Sequence, residues 1–506
     1  MSLARTHSVA LIGVDGHSIE VEAHLGFGSA SLHIVGLPDT ALREARERIR
    51  AAIVNSGERW PEADITVSLS PASLPKRGSG FDLAIAVAVL AANRAVPPEP
   101  ITNMVLLAEL GLDGRVRPVQ GVLPALLSQS REESVDCVVS RANAAEAALA
   151  PNVKVTGVHS LSELLARLRG EPLPDAPPLP APEPPLPDPH RPDLAEVLGQ
   201  PVGRRAIEIA AAGGHNLLMF GGPGTGKSML ARRLPTVLPP LTRQQALEVT
   251  AVHSVAGELP NHQPLITDPP FRDPHHTTTR AALVGGGSAV LRPGSASLAH
   301  HGVLFLDEVP EFTRGVLDAL REPVETGEIA VARSAATARF PARFQLVLAA
   351  NPCPCGKPGA ACTCPGTVRQ RYFAKVSGPM LDRIDLKLQL FPVSRAELLA
   401  DRGMAETSAV VAERVRAARK RAARRLHDTP WHNNAQVPGA DLRRRFPLPH
   451  EAVAVLGQAL ERGRITARGL DRLLRVSWTL ADLAGRNRPT VEDTGLALAL
   501  WSGLDI

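Results

Sequence analysis

The sequence predicts an α/β chain of several domains, and three observations carry that prediction. An apolar run breaks into glycines and ends in Lys-Ser at 216–228 (NLLMFGGPGTGKS), the strand, loop and helix start of a phosphate-binding loop. A second apolar run at 302–308 (GVLFLDE) ends in two carboxylates. The first 170 residues alternate short strands with helices, whereas the chain from about 391 onward is helical. At 506 residues the chain is too long for one hydrophobic core and should divide into about three domains.

Composition narrows the class. With 44% hydrophobic and 21% charged residues the chain is globular rather than disordered. A formal charge of +5 permits a polyanionic partner without demanding one. Five cysteines, four of them packed between 353 and 364, do not suit a disulfide framework in a chain this long. The opening MSLARTHSVALIGVDG holds only a brief apolar run broken by Gly and Asp. Neither a signal peptide nor a membrane span is therefore expected, and the location is read as cytoplasmic.

Taken in order, 18–24 (SIEVEAH) and 65–69 (ITVSL) alternate at period two, as half-buried strands do. Residues 39–56, rich in Arg and Glu, read as an exposed helix opening on an Asp/Thr cap. The stretch 106–119 reads as a hairpin turning at Asp113-Gly114. Between 171 and 192 proline dominates, which makes a semi-rigid extended spacer.

The phosphate loop has a physical logic that fixes its residue types. Gly221, Gly222, Gly224 and Gly226, with Pro223 and Thr225 between them, let successive backbone N–H groups turn toward one point. The helix that starts after them adds partial positive charge there. Lys227 suits the β/γ-phosphates of ATP as a point charge, and the Ser228 hydroxyl suits Mg²⁺. Asp307 would share the Mg²⁺ shell and Glu308 would polarise the attacking water. Residues 344–350 (FQLVLAA) form a third apolar strand ending at Asn351, an amide suited to orient that water.

Four further stretches are candidates. A polar insertion, 254–301, carries FRDPHHT and Gly285-Gly286-Gly287; adjacent histidines rarely face one site, so His275-His276 is read as a loop element rather than a ligand pair. Segments 329–331 and 340–344 can pair across a turn near 335–336, leaving Arg333, Arg339 and Arg343 on or beside a hairpin with no acidic residue among them. Cys353, Cys355, Cys362 and Cys364 supply four thiolates, enough for a closed tetrahedral Zn²⁺ site; the alternative is four buried or redox-active thiols. In the amphipathic stretch 465–483, Thr466 is a plausible N-cap and Arg468 falls in the first turn, against the helix dipole. That placement makes Arg468 either a second phosphate-sensing arginine or part of a solvated basic face with Arg464, Arg472 and Arg475.

Two resemblances extend this reading. PKRGSGFDLAIAVAVLAA from Pro75 and AELGLDGRVRPVQGVLPAL from Ala108 resemble the proteolytic domain of Lon proteases, whose fold is ribosomal-protein-S5-like. The position matching the serine nucleophile falls at Gly80, with Ser79 one residue out of register, and the lysine positions read Leu123-Pro124-Ala125. The resemblance therefore implies a Lon-like domain over 1–170 without the protease dyad, followed by the linker 171–192.

Residues 193–390 resemble an AAA+ ATPase core with an insertion in its second helix, and 391–506 its helical lid. The segment 193–200 (DLAEVLGQ) is similar to the one that lies beside adenine in such proteins, and Arg383 in SGPMLDRIDL matches the arginine finger that reaches a neighbouring subunit's site. The order of parts, with NPCPCG, SGPMLDRIDL and PFRDPHHT, resembles the magnesium-chelatase-like ATPases of the ComM/YifB type over nearly the whole chain. This implies a homo-hexameric motor using ATP and Mg²⁺ and acting as a branch-migration helicase in recombination or natural transformation. Single-stranded, forked or branched DNA would pass through its ring and be gripped by the hairpin. Rival readings are a chelatase motor, which should lack both the Lon-like domain and the four cysteines, and an ATP-dependent peptidase, which the missing dyad opposes.

Overall fold

The computed structural model describes residues 2–503 apart from 30, 37–38, 77, 131–133, 174–191, 261–263, 288–290, 333–336, 358–361 and 402. Most of the proline-rich spacer, Arg333 and the hairpin turn near 335–336 thus lie outside the described residues.

The N-terminal part is built on β1 (Ser2–Ile12), β2 (Asp15–Gly26), β3 (Ser31–Val35), β4 (Asp64–Ser70), β5 (Met104–Leu107), the short pair β6 (Glu109–Leu110) and β7 (Val116–Arg117), β8 (Val135–Ser140) and β9 (Val153–Val158). Seven of these make one mixed sheet in the order β3-β4-β2-β1-β5-β8-β9. The period-two strands fall where the pattern puts them, with Ile19, Val21 and Ala23 of β2 and Ile65, Val67 and Leu69 of β4 buried. Helix Asp82–Ala92 is buried along its whole length against β1 and β2, which is why its sequence shows no polar face. Helix Asp39–Asn55 is less exposed than its Arg and Glu content suggests: Ile49, Ala52 and Ile53 are buried and Arg48 pairs with buried Asp82 at 2.8 Å. The hairpin expected over 106–119 is shorter, because β5 joins the main sheet and only β6 and β7 pair around Asp113-Gly114.

The core sheet has five parallel strands: β10 (Leu217–Phe220), β11 (Phe271–Arg272), β12 (Val303–Leu306), β15 (Gln345–Ala350) and β16 (Leu386–Gln389), ordered β11-β12-β15-β10-β16. Residues 254–301 are therefore not only a polar loop. They contribute the edge strand β11, so the strand at 303–306 is third and that at 345–350 fourth in chain order. Both faces of the sheet are covered, which explains the continuous apolar runs. Leu217, Met219, Phe305 and Val347 pack with Val415, Leu473 and Leu480 of the C-terminal helices. Leu218, Leu304, Leu306 and Leu348 pack with Phe312 and Phe373 on the other side.

Between β12 and β15 the chain makes the antiparallel hairpin β13 (Glu328–Ala332) and β14 (Thr337–Pro341), in register Ile329↔Phe340. The expected freedom from acidic residues does not hold there, since Glu328 pairs with Arg339 at 3.2 Å. The hairpin also leans on the N-terminal sheet. Arg339 bridges Gly13, where a Cβ would stand 2.5 Å from the Arg339 carbonyl oxygen. A second contact joins the two parts: the Ser254 hydroxyl accepts the Gly121 N–H at 3.0 Å and donates to buried Glu146.

The C-terminal part includes helices Ser408–Arg425, His450–Glu461, Ala467–Leu483 and Val491–Ser502. Thr466 does cap Ala467–Leu483, accepting from the Gly469 N–H at 3.1 Å. Its basic residues are not one solvated face. Arg472 turns inward to the buried Asp385 carboxylate at 2.6 Å, and Arg475 donates to the Val437 carbonyl at 2.8 Å.

Candidate nucleotide site

The site forms where β10, β12 and β15 end together. The Gly221 N–H donates to the Ala350 carbonyl at 3.1 Å, which ties the start of the loop to the end of β15. Gly224 and Gly226 have φ of +76° and +89° with open space where a Cβ would stand, so their need for glycine is conformational. Gly221 is different: a Cβ would stand 2.6 Å from the Leu390 carbonyl oxygen and 2.8 Å from Thr225 Oγ1. The Thr225 hydroxyl donates to the Gly222 carbonyl at 2.8 Å and closes the turn. Helix Lys227–Val237 then begins at the loop and directs its N-terminal N–H groups into it.

Lys227 is buried, and its ammonium donates to the Gly221 and Gly222 carbonyls at 2.6 and 2.8 Å and to Asn351 Oδ1 at 3.0 Å. Burial lowers its pKa, and the nearby Asp307 and Glu308 carboxylates oppose that shift. The Ser228 hydroxyl donates to Asp307 Oδ2 at 2.5 Å, and Asp307 Oδ1 accepts the Glu308 N–H at 2.8 Å. Glu308 sits in the left-handed region with φ +51°, which swings its half-exposed carboxylate out past the strand end. Lys227, Ser228, Asp307, Glu308 and Asn351 thus come together from three separate stretches of chain. A hydroxyl and a carboxylate on one point are oxygen donors of the kind Mg²⁺ takes.

The two candidate arginines lie elsewhere. The Arg383 carbonyl accepts from Asn216 Nδ2 at 2.9 Å, and Asn216 precedes β10, at the end of the sheet opposite the loop. Five residues of extended chain separate Asn216 from Gly221, or about 16 Å. The Arg383 guanidinium is held by the carbonyls of Arg321 and Pro379, at 3.0 and 2.5 Å, and by Glu325 at 2.6 Å. Arg468 is mostly exposed and stands 3.8 Å from Asp382, at that same end of the sheet.

Among the described residues, two clusters could invite metals. The sulfurs of Cys353, Cys355, Cys362 and Cys364 all lie within 4.8 Å of one another. Burial pushes the Cys353 thiol up to about 12, while the Lys357 N–H, together with Cys353, draws Cys355 down to about 6. The knuckle touches the phosphate loop, since a Cβ on Gly356 would stand 2.9 Å from Pro223 Cγ. Glu248, His300 and His301 also converge. There His300 Nδ1 accepts the Arg343 N–H at 3.0 Å, which leaves Nε2 protonated and donating to Glu248 at 3.2 Å. That tautomer, with the neutral ring donating to the carboxylate, makes the cluster a hydrogen-bonded lock rather than a metal cage.

Sequence reasoning missed two contributors. Gln200 Nε2 donates to the Thr225 carbonyl at 3.0 Å and the Phe391 carbonyl at 2.8 Å, which joins the loop to the chain beyond β16. His276 reaches Glu308, with Nδ1 at 3.4 Å from Oε2. The signal for His276 was its place in the PFRDPHHT motif, which reads in the sequence as a loop element, a few residues after an unrecognised strand. In the N-terminal part, the Ser79 hydroxyl donates to the Glu109 carboxylate. The buried Lys76 ammonium is bound to the Pro71 and Leu74 carbonyls. Leu123 and Ala125 are buried in the apolar core.

The family described as magnesium chelatase, subunit ChlI, matches residues 193–398. Subunit ChlI of Mg-chelatase matches 21–143, and the magnesium chelatase subunit ChlI C-terminal family matches 405–500. The chain is 49% identical over 507 residues to uncharacterized protein Rv2897c of Mycobacterium tuberculosis, covering 99% of this chain and 98% of that protein. It is 40% identical over 485 residues to YifB of Escherichia coli, with coverage of 96% and 94%. It is also 40% identical over 495 residues to competence protein ComM of Haemophilus influenzae, with coverage of 96% and 95%. With the phosphate loop, the paired carboxylates and the parallel sheet that carries them, the chain belongs to the magnesium-chelatase-like ComM/YifB family of AAA+-type ATPases.

Proposed function

We propose that this chain is an ATP-hydrolysing motor, assembled as a homo-hexamer, that drives branch migration and unwinding of single-stranded, forked or branched DNA in recombination or natural transformation. The observation that carries the reading is the split site. Lys227, Ser228, Asp307, Glu308 and Asn351 meet at one end of the sheet, while Arg383 lies at the other. A phosphoryl-transfer site needs a cation to match charge spreading over the transferred group, and one placed this way serves a neighbour's loop rather than its own. Arg468, at the same end, is read as a second arginine directed at that neighbour.

In this site Lys227 holds the β/γ-phosphates, and Ser228 with Asp307 holds Mg²⁺. The metal supplies charge neutralisation at the phosphate oxygens. Glu308 takes the proton of the attacking water and the Asn351 amide orients that water. The core is read as AAA+ with 254–301 as its second-helix insertion, and residues 1–170 as a Lon-like module without a protease dyad. Four converging thiols fit Zn²⁺, so Cys353, Cys355, Cys362 and Cys364 are assigned a structural zinc. The likeness to a competence protein supports the DNA substrate.

The test is a branch-migration and unwinding assay on purified protein with forked and four-way DNA, with and without ATP. ATP-dependent strand movement that Glu308→Gln abolishes is expected. ATP hydrolysis without movement of either substrate would remove the DNA-motor reading.

A further inference from the structure

The loop between β11 and helix Arg280–Val284 is built against the nucleotide site from two sides. Asp273 pairs with Arg232, on the helix that starts at the phosphate loop, at 2.7 Å. Three residues later His276 Nδ1 stands 3.4 Å from Glu308 Oε2. The His276 ring packs against that of His275 at a tilt of 34°, with centroids 4.0 Å apart, and meets Phe312 edge-on at 6.4 Å. His275 is itself fixed, since its Nδ1 stands 2.9 Å from Thr277 Oγ1 and its carbonyl accepts the Thr278 N–H. Thr279 then caps the next helix by accepting the Ala282 N–H. The imidazole is therefore held in place by its surroundings rather than free to turn.

Glu308 needs such a partner. Its left-handed backbone carries the carboxylate away from β12, and the bond within the strand end, Glu308 N–H to Asp307, fixes only the main chain. Among the described residues His276 is the one side chain paired with that carboxylate. A general base works only when its oxygen lies within hydrogen-bond reach of the proton it takes, and a mobile Glu spends most of its time elsewhere.

Resting on the nucleotide-site reading above, we infer that His276 is a positioning residue for hydrolysis: its Nδ1 holds Glu308 Oε2 so that Oε1 faces the attacking water. The contact also makes the segment after β11 part of the ATPase, because any shift of this loop displaces the base.

The test is steady-state ATP hydrolysis by the full chain carrying His276→Ala, His276→Asn, Glu308→Asp, or His276→Ala with Glu308→Asp, alongside equilibrium ATP binding. Asn puts an amide N–H where Nδ1 stands in histidine. His276→Ala should lower kcat about tenfold with KM and ATP binding within about twofold of wild type. His276→Asn should recover most of the loss. In the Glu308→Asp background the same Ala change should cost less than about twofold, since it acts through a carboxylate already misplaced. An unchanged kcat, a rise in KM alone, an Asn variant as slow as Ala, or full additivity with Glu308→Asp would each overturn the inference. A wild-type chain that hydrolyses no ATP, or a Glu308→Gln chain with undiminished turnover, would instead overturn the nucleotide-site reading, and this inference with it.

Discussion

Single residues show how little of a site's electrostatics is written in residue type. Lys227 and Lys76 are both buried lysines whose pKa is lowered by burial. One has carboxylates close by that favour its charge, and the other rests on carbonyls alone. Only the first belongs to a site. His300 gives a testable case of the same physics. Burial lowers it to about 4, while a free imidazole titrates near 6.5. Its depressed pKa means that the unfolded chain takes up the proton first as pH falls. The stabilisation is then complete above about pH 6.5 and is lost on the way down to about 4. Its partner Glu248 is held below the usual carboxylate range by His300 and His301, so its contribution is lost at still lower pH. Urea unfolding of the wild type should thus show about 2 kcal/mol less stability at pH 4.5 than at pH 7 from this residue. His300→Gln, which keeps an acceptor for Arg343 and a donor for Glu248, should show a flatter profile by that amount.

At the scale of elements, the cysteine knuckle connects two things that the sequence lists separately. Cys353 follows Asn351 by two residues, and Gly356 packs on Pro223 of the phosphate loop. A cross-link of the four thiols would therefore hold both the Lys227 partner and the loop's outer wall. Protein purified without chelator should carry about one zinc per chain, and Cys353→Ser should lose it and weaken ATP binding. Metal analysis finding well under one zinc per chain would leave the cluster as free thiols. The hairpin β13–β14 shows the opposite limit. Its pairing was legible from apolar segments flanking small residues, but its contacts were not. Glu328 reaches Arg339 only once the register is set, and Gly13 comes from more than 300 residues away in the chain.

Across the whole molecule, the proposed shared site makes a prediction that no single subunit can satisfy. Lys227→Ala removes the loop's cation and leaves Arg383 intact; Arg383→Ala does the reverse. Each protein alone should be inactive, and rings formed from both should regain part of the ATPase activity, because some interfaces then pair an intact loop with an intact arginine. Mixed rings shown to co-assemble yet still inactive would exclude a site shared in this way.

By itself the sequence determined the phosphate loop, the paired carboxylates after an apolar strand, the thiol quartet and the division into an α/β beginning and a helical end. Each of these is local: a glycine-rich turn, a capped helix and an apolar run depend on neighbours within a few residues, so their pattern survives in one dimension. Tertiary structure alone decided the rest. Strand β11 is only two residues long and has no period to read; it exists because β12 offers an edge to pair with. His276 meets Glu308 because that pairing carries the following loop to the site. Arg472 reads as surface charge on an amphipathic helix until Asp385 is found beneath it. Polar and charged contacts between distant segments carry no periodicity, and their energy depends on distances and burial that only the packed chain sets.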